Sequence, residues 1–111
     1  MTQQDNLQNK QLTESLIIGC LTTCEAVISK NAYLEKKWQN CYRDMAYYDG
    51  GYGQTRSQWM EYRKKLRSIL SEKYSMKQII QLVKGNVDKA TRKSVEEVIK
   101  LIDSRDYTLC L

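Results

Sequence analysis

The chain has 111 residues, 41% hydrophobic and 28% charged, with 18 Lys and Arg against 13 Asp and Glu for a net charge of +5. That size and mixture suit one domain with a modest core and lie far from the low-hydrophobicity signature of disorder. The chain has no histidine, which removes the imidazole base, the Ser–His and Cys–His relays and the His-held metal, so no catalytic residues are expected.

Residues 1–11 are polar, with Leu7 the one apolar side chain after Met1, and predict a loose tail. They lack the basic front and small-residue cleavage site of an export signal. The longest apolar run, Leu16 to Leu21, is too short to span a bilayer, so no membrane partner is expected. Cys20, Cys24, Cys41 and Cys110 then read as reduced thiols in a cytoplasmic setting. Cys20 and Cys24 share a helical face, but a structural zinc site needs four ligands and no second close pair exists, so neither metal nor cofactor is predicted. Cys41 lies near Lys37 and Arg43, which could activate a thiol, although a cysteine at such a position is more often a small core residue.

A helical repeat starts at Leu12. Ile17, Cys20, Cys24, Val27, Asn31, Leu34, Trp38, Cys41, Met45 and Tyr48 follow one another at steps of three and four, a coiled-coil-like seam. Neither glycine nor proline interrupts residues 12–48 after Gly19, which favours one long helix over a helix pair broken at Ser29–Asn31. Asn31 on that seam, flanked by Lys30 and Glu35 and followed by Leu34, is the arrangement by which two parallel copies set their register, so a homodimer is one reading. The other packs the same seam against later helices of the chain itself.

Residues 49–54 carry three glycines and predict the loop that closes this helix. Tyr47, Tyr48 and Tyr52 surround the loop and form a candidate partner-binding tip. Thr55 with Gln58 fits a capping box for a helix from about Arg56 to Tyr74, buried through Trp59, Tyr62, Leu66, Ile69, Leu70 and Tyr74. Ser75 with Gln78 begins a second box, followed by a short helix patterned on Met76, Ile79, Ile80 and Val83 and ended by Gly85 as a left-handed terminator. A last helix opens at Asp88 or Thr91, turns Val95, Val98, Ile99 and Ile102 inward and stops near Ser104. No segment alternates as a strand should. The fold expected is therefore all-α, a single bundle of four to five helices with a long N-terminal helix and a basic helical half over 55–104.

Charge supplies the functional reading. Residues 1–54 hold five basic against six acidic side chains, whereas residues 55–95 hold eleven against three. Such a field attracts an anion, and nucleic acid or an acidic or nucleoprotein partner is the expected ligand. Arg63, Lys64, Arg67, Lys77, Lys89, Arg92 and Lys93 are the candidate contacts. Met76–Lys84, the turn at Gly85–Val87 and the cations Lys89, Arg92 and Lys93 resemble the outline of a helix-turn-helix unit, which implies that the second helix enters the major groove. This chain departs from that pattern at Gln81, where such units place a small residue, and no family is recognised. The alternative function is an inhibitor or adaptor that blocks a partner protein through the tyrosine tip and the helix seam.

Overall fold

The computed structural model describes residues 11–41 and 52–111. Among them are a strand β1 (Gln11–Thr13), helices α1 (Glu14–Cys41), α2 (Tyr52–Leu70), α3 (Met76–Lys84) and α4 (Arg92–Ser104), and a strand β2 (Thr108–Cys110). Four helices match the helical expectation. The two strands do not, and they pair in parallel, Gln11 with Thr108, Leu12 with Leu109 and Thr13 with Cys110. Three residues are too few for periodicity to register, and the partner strands lie at opposite ends of the sequence, so nothing local announces the pairing. Its packing reason is Leu12, which the strand turns fully into the core while Gln11 and Thr13 face out.

α1 is unbroken through Ser29–Asn31, as the lack of glycine and proline there predicts. Its 28 residues extend roughly 42 Å at 1.5 Å per residue. Thr13 Oγ1 accepts from the Leu16 N–H at 3.2 Å, and Glu14 places a carboxylate at the positive end of the helix. Ile17, Cys20, Cys24, Val27 and Asn31 of the predicted seam are buried, joined by Ile18 and Leu21. They meet Trp59, Leu66, Ile69 and Leu70 of α2, which runs back along α1.

α2 begins at Tyr52, one turn earlier than predicted. Thr55 is therefore inside the helix and forms no capping box; Gln58 Nε2 instead donates to Tyr62 Oη at 2.9 Å. The helix ends at Leu70, and a turn closed by the Tyr74 N–H on the Leu70 carbonyl at 2.9 Å leads to α3. There the predicted box is present: Ser75 Oγ accepts from the Gln78 N–H, and Gln78 Oε1 accepts from the Ser75 N–H. Ile79 is the buried anchor of α3, while Met76 and Ile80, counted in the predicted stripe, stand exposed.

Gly85 is not left-handed. Its φ of −82° and ψ of −5° are right-handed values open to any residue. The left-handed cap falls on Arg105 after α4, at φ 58°. α4 opens on Thr91, whose Oγ1 accepts from the Ser94 N–H at 3.0 Å, and buries Val95, Val98 and Ile99.

Candidate functional site

The loop of residues 85–91 sets where the last helix goes. It crosses α1 at Gly19: the Ala90 N–H donates to the Gly19 carbonyl at 3.2 Å, and the buried Thr23 hydroxyl donates to the Ala90 carbonyl. A Cβ on Gly19 would lie 3.4 Å from the Asp88 carbonyl oxygen, at the tight edge of ordinary contact, so the crossing leaves room for a methyl group but not for a larger side chain. Asn86 Nδ2 adds bonds to Thr22 Oγ1 at 2.9 Å and the Asp88 carbonyl at 2.6 Å. In consequence α3 and α4 pack on α1 and α2 rather than on each other. This corrects the helix-turn-helix outline, which needs a turn of roughly three or four residues and two helices in direct contact. A glycine at position 19 and a polar loop gave no sign of it, because the crossing joins residues far apart in sequence.

The expected basic surface is divided by ion pairs. Glu25 of α1 accepts from Arg63 Nη1 at 3.0 Å and from Arg67 Nη2 at 2.9 Å. Glu35 accepts from Arg56 Nε at 3.0 Å and Nη2 at 2.9 Å, and Glu14 from Lys73 Nζ at 3.1 Å and Tyr74 Oη at 2.9 Å. Glu14, Glu25 and Glu35 stand about three helical turns apart, so successive carboxylates reach successive cations of the antiparallel α2 and of the turn that follows it. Lys65 pairs with Asp103 of α4 at 2.7 Å. Five of the eleven cations over residues 55–95 are thereby matched, four of them by the three first-half acids Glu14, Glu25 and Glu35.

Arg63 and Arg67 are thus half-buried and committed to Glu25. Lys64, Lys77, Lys84, Lys89, Arg92 and Lys93 are exposed and contact no carboxylate among the described residues. Lys89, Arg92 and Lys93 gather where the crossing loop enters α4. Lys64 shares a depression with Arg63, Arg67 and Met76, with Lys77 the next residue along α3. Neither α3 nor α4 has an acid in its first turn, and each has lysine there.

Asn31 is buried within the chain, its Nδ2 donating to the Val27 carbonyl at 2.9 Å, and Leu34 is half-buried on the same seam. Lys30 is exposed. The ion-pair partner that a twin would offer Glu35 is supplied internally by Arg56. Tyr47 and Tyr48 lie outside the described residues, and Tyr52 enters only as the first residue of α2. Trp59 is buried as its place in the apolar stripe of α2 predicts, and meets Tyr62 edge-on with centroids 5.1 Å apart.

Burial pushes the Cys20 thiol up to about 11 and the Cys24 thiol to about 12, the latter with help from Cys20 and Glu25. No disulfide links Cys20, Cys24 or Cys110. The side chain of Cys41 lies outside the described residues. No three of the described Cys, Asp and Glu side chains converge as metal ligands do. No helix among the described residues is long and apolar enough to cross a membrane. Comparison with protein families, curated proteins and solved structures finds no match to this chain.

Proposed function

We propose that the protein acts by stoichiometric binding rather than catalysis, and that its ligand is a nucleic acid held by phosphate contacts. The observation that carries this reading is the trio Lys89, Arg92 and Lys93: exposed, without a carboxylate in contact, and clustered at the N-terminal end of α4. Cations there oppose the helix dipole and lower helix stability, so the fold itself has no use for them. A phosphate oxygen reverses that sign, because both the dipole and the side chains attract it. Glu96 and Glu97 stand one turn further on without an ion pair to Arg92 or Lys93. Lys77 at the first turn of α3 and Lys64 extend the cationic surface, whereas Arg63 and Arg67 contribute less because Glu25 holds them. The unlinked thiols suit a reducing, cytoplasmic setting.

The test is a gel shift against short DNA and RNA duplexes and single strands at low salt, repeated across a salt series. The triple variant Lys89→Glu, Arg92→Glu, Lys93→Glu is expected to bind far more weakly, with a salt slope reduced by about three. A wild-type protein that shifts none of these probes at low salt overturns the reading.

A further inference from the structure

The surface of α4 leaves another side of the fold unexplained. On α3, Met76 and Ile80 are one helical turn apart and stand 46% and 39% exposed, and Met60 of α2 is 37% exposed. Met60 and Met76 line one depression together with Arg63, Lys64 and Arg67. Ile80 and Val83 line a second, with Glu25 and Lys84. The two meet at Glu25, which belongs to the second and bonds both arginines of the first. Met76 opens on the first and Ile80, one turn further along α3, on the second, so the two depressions lie end to end beside that helix and together offer a groove with an apolar floor.

The chemistry of this groove selects its occupant. A phosphodiester backbone gains nothing from methionine and isoleucine, whereas the apolar stripe of a helix buries against them. Methionine is the side chain best able to adapt to a foreign apolar surface. Lys64 and Lys84 line the two depressions and Lys77 follows Met76 on α3; all three are exposed and unpaired among the described residues, Glu61 stands with Lys64, and Glu25 is already shared by two arginines. The surplus is positive, so the flanks of the incoming helix are acidic.

We propose that the groove beside α3, floored by Met60, Met76 and Ile80 and rimmed by Lys64, Lys77 and Lys84, docks an acidic amphipathic helix of a partner protein. It shares Lys64 and Lys77 with the cationic surface proposed above but does not include the trio Lys89, Arg92 and Lys93, and its test does not depend on nucleic-acid binding.

The experiment uses the full chain and two fluorescein-labelled synthetic peptides of about 12 residues, long enough to lie along α3. One carries leucine at i, i+4 and i+7 with glutamate on its flanks; the other has the same composition with the leucines spread around the helix. Fluorescence anisotropy is expected to give at least about tenfold tighter binding for the patterned peptide. Met76→Asp and Ile80→Asp, both at exposed positions, are each expected to weaken it about tenfold. Lys77→Glu with Lys84→Glu weakens it comparably and leaves the apolar floor unaltered. The Lys89, Arg92, Lys93 reversal leaves peptide affinity unchanged. Equal affinity for the two peptides, or wild-type affinity in the aspartate variants, overturns the proposal. So does sedimentation showing a wild-type dimer that Met76→Asp converts to monomer, which assigns the groove to a second copy. Loss of DNA binding in the uncharged variant Ile80→Ser assigns it to nucleic acid and overturns the proposal equally.

Discussion

Glu25 of α1 and Arg67 of α2, 42 residues apart in the sequence, meet at 2.9 Å, and the second Glu25 oxygen takes Arg63 at 3.0 Å. One carboxylate therefore holds two half-buried guanidiniums at the helix seam. Replacing it in Glu25→Gln leaves both facing a neutral amide, and the expected loss is about 1 kcal/mol, the upper end for partly exposed pairs. Urea unfolding measures it. The same variant frees two cations, and its affinity for a polyanion such as heparin at low salt should rise. Unchanged stability would mean that this pairing contributes nothing to the α1–α2 register.

The loop crossing at Gly19 has its own test. Thr23→Val preserves shape but removes the donor to the Ala90 carbonyl, an expected loss of about 1 to 2 kcal/mol. Gly19→Val adds methyl groups beyond a Cβ already 3.4 Å from the Asp88 oxygen, and the loop must shift, at about 1 to 3 kcal/mol. Hydrogen exchange at the Ala90 amide reports the shift directly. Retained protection in Gly19→Val would contradict the close approach.

Two caps should respond oppositely to what glycine usage in the sequence suggests. Gly85 has right-handed angles, and a Cβ there meets only the Gln81 carbonyl oxygen at 3.5 Å, an ordinary contact. Gly85→Ala is therefore expected to stabilise by about 0.4 to 1 kcal/mol through the unfolded chain. Arg105 at φ 58° carries the steric strain of a left-handed residue, and Arg105→Gly should relieve about 1 kcal/mol. Thermal unfolding of the two variants distinguishes them from a pair in which glycine is needed at 85.

Acid sensitivity should trace in part to Glu14. Hydrogen bonds from Lys73 and then Tyr74 hold its carboxyl below the ordinary 4.5. A carboxylate with a lowered folded value contributes stability that is complete above about 4.5 and is lost as pH falls through that lower value. Glu14→Gln is accordingly expected to be less stable than wild type at neutral pH. The two curves should converge in strong acid. Parallel curves across the whole range would refute the assignment.

The thiols predict an alkaline limb of the opposite sense. Cys20 and Cys24 rise from an ordinary 9.0 to about 11 and about 12, so the folded state keeps them protonated while the unfolded chain ionises. The stability this confers is complete below about 9 and disappears as pH rises towards those folded values. At pH near 8 in a Cys41→Ser background, a disulfide reagent should modify exposed Cys110 promptly and the two buried thiols only at the rate of unfolding. Three equally fast thiols would contradict the burial.

The elements legible in the residues are those carried by local spacing. The uninterrupted repeat from Ile17 to Asn31, the Ser75–Gln78 box and the Val95–Val98–Ile99 stripe each specify a helix within one or two turns, and each is present. The candidate cations could be named but not sorted. Arg63 and Lys64 are neighbours with the same charge, yet one faces Glu25 and the other faces water, a difference of helix rotation against a partner strand of chain 38 residues away.

Periodicity and capping act over three or four residues, and over that range the amino acids of this chain settle its helices and the seam they bury. Chain crossing acts over tens of residues. Only the folded arrangement could pair Leu12 with Leu109, lay Ala90 against Gly19, and match Glu14, Glu25 and Glu35 to cations of α2 and the turn after it. Charge counted along a sequence has no direction, whereas an ion pair needs two side chains within a few ångströms, so which positive groups remain for a ligand is a property of packing.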